Sequence, residues 1–137
     1  MSKTKAQISI EYMLVIGFVT LTLIPLLAIY FIFTQDSNDS ISASQLDQVA
    51  NRIVDTSESM YYLGSPSQTT ITAVIPESIS SVNLTGNEVV FRFSTKNGNS
   101  EIVKNTNVNI TGSLPESPGT YKILIMAKEG YVEVSYT

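Results

Sequence analysis

The residues available for chemistry are few in type. The 137-residue chain contains neither His nor Cys, which removes the commonest general base, the commonest metal ligand and all thiolate chemistry. A Ser nucleophile therefore lacks its usual base, and nothing in the sequence brings a Ser and a Lys together as a dyad. Asp and Glu are scattered singly, with no spacing that pairs them for acid–base work. The Gly residues mark turns and form no phosphate loop. Asp36, Asn38, Ser40 and Asp47 do fall at the first, third, fifth and twelfth positions of an EF-hand-like loop. Ile41, however, stands where the sharp turn needs Gly, and Asp replaces the bidentate Glu. We therefore expect no enzyme, no metal and no cofactor. The formal charge is −4 and Lys and Arg form no stripe, so nucleic acid is not an expected partner.

Two kinds of residue remain that could do something specific: Glu11, and the Asn residues of three N-x-[ST] sequons. The elements around them give each its meaning. Between Glu11 and Asp36 lie 24 residues without a charge, Tyr12 to Gln35, rich in Leu, Ile, Val and Phe. As a helix this run is roughly 36 Å long, enough to cross a hydrocarbon core of about 30 Å. A secretory signal has an apolar region of about 7–15 residues ending in small residues, whereas Phe31-Ile32-Phe33 occupies that end here. Lys3 and Lys5 precede the run while Asp36 and Asp39 follow it, which puts the N-terminus in the cytoplasm and the rest outside. Pro25 removes one backbone donor mid-segment, so a bent helix, locally unwound near Leu21–Pro25, is expected.

Glu11 sits at the edge of this run, where an ionised carboxylate is expensive and needs a partner. The residues around it read Lys5-Ala6-Gln7-Ile8-Ser9-Ile10-Glu11-Tyr12. This segment resembles the class III signal peptide of archaeal type IV pilins: a short basic leader, a small residue, then Q-x-S-x-E-[YF] opening an apolar helix. It does not resemble the archaellins, whose processed ends are Gly- and Ala-rich. The resemblance implies cleavage by a prepilin peptidase between Ala6 and Gln7, releasing Met1–Ala6. It also implies that Lys5, Ser9, Glu11 and Tyr12 belong to the processing motif. Cleavage would create an α-ammonium at Gln7, four residues before Glu11 and on the same helical face. In the family, the Glu of one subunit meets the N-terminal ammonium of its neighbour during docking. On residues alone, Glu11 reads first as a marker of the membrane boundary, Tyr12 as part of an interfacial belt, and Ser9 as bonding its own helix; the surrounding motif turns Glu11 toward the docking role.

After Phe33 the chain turns polar, Thr34 to Ser40, and a break or loose turn is expected there. Ser42 with Gln45 fits a capping box. Leu46, Val49, Ala50, Ile53, Val54, Ser57, Met60 and Tyr61 then recur at helical spacing, with Asp47, Arg52, Asp55 and Glu58 off that face. An amphipathic helix over about Ser42–Leu63, ended by Gly64-Ser65-Pro66, follows. Beyond Gly64 the period changes to two: Ile71, Ala73, Ile75; Val89, Phe91, Phe93; Val108, Ile110; Val132, Val134, Tyr136. Lys122–Ala127 is a denser apolar run, suited to a buried strand. Turn signals stand at Gly86-Asn87, Asn97-Gly98, Pro115–Gly119 and Lys128-Glu129-Gly130.

The expected class is α+β. Residues 1–6 form a leader and 7–35 a hydrophobic transmembrane or filament-core helix. Residues 36–64 form a hinge and amphipathic helix, and 65–137 an extracellular β domain of about six strands. That domain is expected to be a small antiparallel sheet or an Ig-like β-sandwich, leaning on the Ser42–Leu63 helix because so short a β domain is marginal alone. The seven Tyr and five Phe are assigned mostly to membrane and core packing.

The sequons Asn38-Asp39-Ser40, Asn83-Leu84-Thr85 and Asn109-Ile110-Thr111 all fall outside the apolar run, within reach of a glycosyltransferase. Asn83, beside a turn, is the foremost of the three. The resemblance implies a pilus subunit, held in the membrane N-in and C-out, then drawn into an extracellular filament used for adhesion. Its partners would be the prepilin peptidase, copies of itself, and, indirectly, the assembly platform and ATPase. Loss of Lys3 and Lys5 takes the formal charge from −4 to about −6. The alternative is a minor pilin-like or membrane-anchored extracellular binding protein that forms no bulk filament. A subunit of a membrane enzyme complex would instead keep Met1–Ala6.

Overall fold

The computed structural model describes the backbone of residues 3–137 and the side chains of residues 9–137. The expected processing residues Lys5, Ala6 and Gln7, and the expected leader as a whole, lie outside the residues whose side chains are described. The fold is α+β: one long helix, α1 (Lys3–Leu63), then β1 (Gln68–Ile75), β2 (Ile79–Thr95), β3 (Gly98–Gly112), β4 (Gly119–Lys128) and β5 (Tyr131–Tyr136). The chain divides into two units, Met1–Ser37 and Asn38–Thr137.

In the first unit, α1 stays helical through Pro25, so the expected unwinding near Leu21–Pro25 does not occur. A single Pro removes one donor, and the rungs on either side of it survive. The expected break after Phe33 is also absent, and two hydroxyls show why. Thr34 Oγ1 donates to Tyr30 O and Ser37 Oγ to Phe33 O, each at 2.9 Å. Polar groups that were expected to compete with the helix instead bond the preceding turn. Ser42 consequently lies inside the helix and caps nothing, so the hinge and second helix are one element with the first. The C-terminus does fall where expected. Gly64, at φ 84°, donates to the carbonyls of Met60 and Tyr61, an αL termination open to Gly without penalty.

In the second unit, α1 presents Leu46, Ala50, Ile53 and Ser57 to the sheet, all fully buried. The strands answer with the alternating residues the period-two pattern marks. Ile71, Ala73 and Ile75 of β1, Phe91 of β2, Ile110 of β3 and Ile123 of β4 all lie in this one core. Among the described residues there is one sheet, in the order β1-β4-β5-β3-β2, and the helix supplies the second layer, so of the two expected forms the small sheet is the one observed. The sheet is mixed. β5 pairs antiparallel with β4 but parallel with β3, as Ile110↔Val132 and Gly112↔Val134 show. The loop after Gly112 carries the chain past the β5 position to lay β4 beside β1, and the β4–β5 hairpin then returns into the vacant slot. Filling it in that direction makes β5 parallel to β3.

Two short connections show that this sheet is curled. β1 and β2 are its opposite edges, about 19 Å apart in a flat five-stranded sheet. They are joined by Pro76–Ser78 alone, which spans at most about 14 Å. In addition, a straight strand of the 17 residues of β2 would cover roughly 55 Å, yet Ser94 N donates to Ser78 O at 2.8 Å. β2 therefore folds back on itself, and the midpoint is Gly86, at φ 61°. This is the Gly86-Asn87 turn signal, realised inside β2. The Asn97-Gly98 and Glu129-Gly130 signals close the β2–β3 and β4–β5 hairpins.

Candidate functional site

In the first unit the side chains from Ile10 to Phe33 form an apolar surface on every side of the helix. Leu14, Phe18, Val15, Leu23, Leu27 and Ile24, which succeed one another around the whole circumference of the helix, are all exposed. A helix apolar all round is a helix for lipid or for close packing with other helices. Among the described residues this is the one helix long and apolar enough to cross a membrane. Its hydroxyls suit that environment: Thr22 Oγ1 donates to Phe18 O at 2.8 Å, in the same manner as Thr34 and Ser37. Ser9, Glu11 and Tyr12 are exposed at the start of this surface. Glu11 and Tyr12 are consecutive and so point in different directions, while Ser9 and Glu11 lie about 200° apart around the axis. Tyr12 lies between them, about 60° from Ser9 and about 100° from Glu11, so the three described motif residues spread over somewhat less than half of the circumference.

The second unit holds an arrangement that sequence reasoning missed. Three carboxylates on α1, each spaced as if solvated, reach the β2–β3 region. Asp39 Oδ2 accepts from Lys96 N at 2.8 Å. Asp47 Oδ1 lies 2.8 Å from Lys104 Nζ. Glu58 Oε1 accepts from Asn107 N at 2.9 Å, from Asn107 Nδ2 at 3.1 Å and from Thr106 Oγ1 at 3.2 Å. The third contact meets an interruption in the β3 ladder. Pairing with β2 jumps from Glu88↔Asn105 to Gly86↔Ile110, so residues 106–109 bulge and free the Asn107 N–H for Glu58. The only sequence signal was the acidic side chain at Glu58 beside the core position Ser57, and nothing in it named Asn107.

The EF-hand-like positions Asp36, Asn38, Ser40 and Asp47 lie on α1, not on a loop. The three sequons separate by context. Asn38 is on the helix, Asn83 on β2 and Asn109 on β3, all exposed. Thr85 Oγ1 donates to Asn83 Oδ1 at 2.8 Å, closing that sequon on itself.

Grooves mark the surface of the second unit. One of about 300 Å³ lies between α1 and β1, bordered by Arg52. Another of about 450 Å³ includes Asn83, Glu116 and Tyr136. The third, about 390 Å³, includes Asn109 and Tyr131 and has no charged lining residue. No family model, no curated protein and no solved structure matches this chain.

Proposed function

We propose that this chain is the structural subunit of an archaeal type IV pilus-like surface filament. In this reading a prepilin peptidase cleaves it between Ala6 and Gln7, and it is not an enzyme. The observation that carries the reading is the division of labour within α1. Up to Phe33 its apolar side chains are exposed on all sides, while from Leu46 to Ser57 one face is buried by the sheet. The first surface can be satisfied by lipid tails before assembly and by neighbouring helices after it. The second fastens the outer domain to the same helix. The Gln7-x-Ser9-x-Glu11-Tyr12 pattern adds the processing step, and Glu11 gains an α-ammonium partner on a neighbour. The outer domain, with its Ser-, Thr- and Asn-rich strands, would form the filament surface and make the adhesive contacts.

The test is the N-terminal sequence and intact mass of the protein taken from the cell surface, together with its share of purified filaments. A chain beginning at Gln7 that dominates the filament supports the reading. A chain beginning at Gln7 but scarce in filaments makes it a minor subunit. A chain that keeps Met1–Ala6 removes the ammonium from Glu11 and leaves a membrane-anchored binding protein.

A further inference from the structure

The groove beside Asn109 is lined by neutral side chains. Its lining includes Leu84, Thr85, Gly86, Asn109, Thr111 and Tyr131, which offers hydroxyls, an amide and an aromatic ring without a formal charge. The nearest charges across the strands, Lys128 opposite Tyr131 and Glu133 opposite Thr111, pair with each other at 3.4 Å and do not line it, whereas Arg52 and Glu116 line the two grooves described above. At about 390 Å³ it falls within the range of roughly 300–1,000 Å³ usual for small-molecule sites. An aromatic side chain set among hydrogen-bonding groups matches a sugar ring, which has C–H faces and hydroxyl edges.

The geometry of the strands brings the acceptor and the ring together. In a strand, residues i and i+2 face the same side. Asn109 and Thr111 are both exposed, with the fully buried Ile110 between them. On the helix, Asn38 and Ser40 are turned about 200° apart. The parallel pairing Ile110↔Val132 places Tyr131 one strand spacing from Asn109, about 4.8 Å along the hydrogen-bonding direction. Both residues precede a fully buried one, so both point outward. Tyr131 remains 36% exposed there.

We propose that this groove is a carbohydrate seat, filled by an N-linked glycan carried on Asn109 and packed over the ring of Tyr131. The proposal rests on the extracytoplasmic placement given above. The linkage forms when Asn109 Nδ2 attacks C1 of a sugar activated as a lipid-linked phosphate ester. The C1–O bond breaks, its electron pair leaves with the phosphate, and the amide nitrogen gives up one proton to the transferase. The seat then turns a half-exposed Tyr into a covered one and joins the glycan to the β3–β5 junction.

The experiment uses the full chain isolated with its native modifications. Glycopeptide mass analysis reads occupancy of Asn109, and limited nitration with tetranitromethane reads access to each Tyr. Tyr62, 73% exposed, is the internal standard. Tyr131 is expected to react several-fold more slowly relative to Tyr62 than in Asn109→Gln. If that variant fails to accumulate, Thr111→Val removes the sequon while keeping Asn109. Occupancy of Asn109 with equal Tyr131 reactivity in all forms overturns the seat. An unmodified Asn109 overturns the proposal outright, and the filament reading then still stands or falls on the Gln7 terminus and filament share.

Discussion

Glu58 Oε1 accepts hydrogen bonds from both the backbone N–H of Asn107 and its side-chain Nδ2, at 2.9 and 3.1 Å. The two residues are 49 positions apart, and Thr106 Oγ1 adds a third donor to the same oxygen. One carboxylate oxygen therefore receives the donors exposed by the β3 bulge, and the helix is fastened at the point where the sheet ladder is interrupted.

Replacing Glu58 by Ala should lower the stability of the full chain by about 1–3 kcal/mol, the range for losing hydrogen bonds to a charged acceptor. Asp47→Ala should cost less than about 1 kcal/mol, because its pair with Lys104 is substantially exposed, at 45% and 30%. Thermal unfolding in detergent, followed by far-ultraviolet circular dichroism, measures both. Equal losses for the two variants would show that the bulge contact has no special weight.

Gly112 ends β3 at φ 133°, and a Cβ there would collide with the carbonyl oxygen of Val134. Backbone atoms of a paired strand cannot swing aside as a flexible side chain can. Gly112→Ala should therefore destabilise by roughly 2–4 kcal/mol, read as a fall in unfolding midpoint. Gly17→Ala, where a Cβ meets nothing within 4 Å and helix propensity favours Ala, is the control that should cost no stability.

Ser57 is fully buried at a core position of α1, and its Oγ has no hydrogen-bond partner. Ser57→Ala removes an unsatisfied oxygen and improves helix propensity. It should raise stability by about 1 kcal/mol. A drop of the same size on denaturant unfolding would mean that the hydroxyl has a role in the core.

Glu11→Ala should block or slow filament formation and leave membrane insertion intact, since the apolar run is untouched. Membrane fractionation and electron microscopy of surface filaments read the two properties separately. Normal filaments from this variant would remove the docking role of Glu11.

Much of the outer domain is legible from periodicity. Leu46, Ala50, Ile53 and Ser57 repeat at helical spacing and are all buried; Ile71, Ala73 and Ile75 alternate and are all buried. Tyr136, placed in the same alternation as Val132 and Val134, is 44% exposed, because β5 is ending and the core no longer covers it. Thr34–Ser40 reads as a break because Ser, Thr, Asn and Asp favour turns. The outcome depends on whether their polar groups find helix-compatible partners, as Thr34 and Ser37 do. The Asn109 groove has a partial signal, the sequon, whereas its ring comes from β5.

By itself, the sequence determined the apolar helix, its polar end at Gly64, the faces that each strand turns inward and the α+β class. These follow from residue type and spacing within a short window, where side-chain direction is set by the local backbone. Only the tertiary structure decided that the helix runs unbroken, that β5 inserts parallel to β3, that β2 folds back at Gly86, and that Glu58 meets Asn107. The last three depend on groups far apart in the chain coming within hydrogen-bonding distance, and the first on the Thr34 and Ser37 hydroxyls turning back to carbonyls four residues earlier. No local pattern of residues encodes which distant partner will be there.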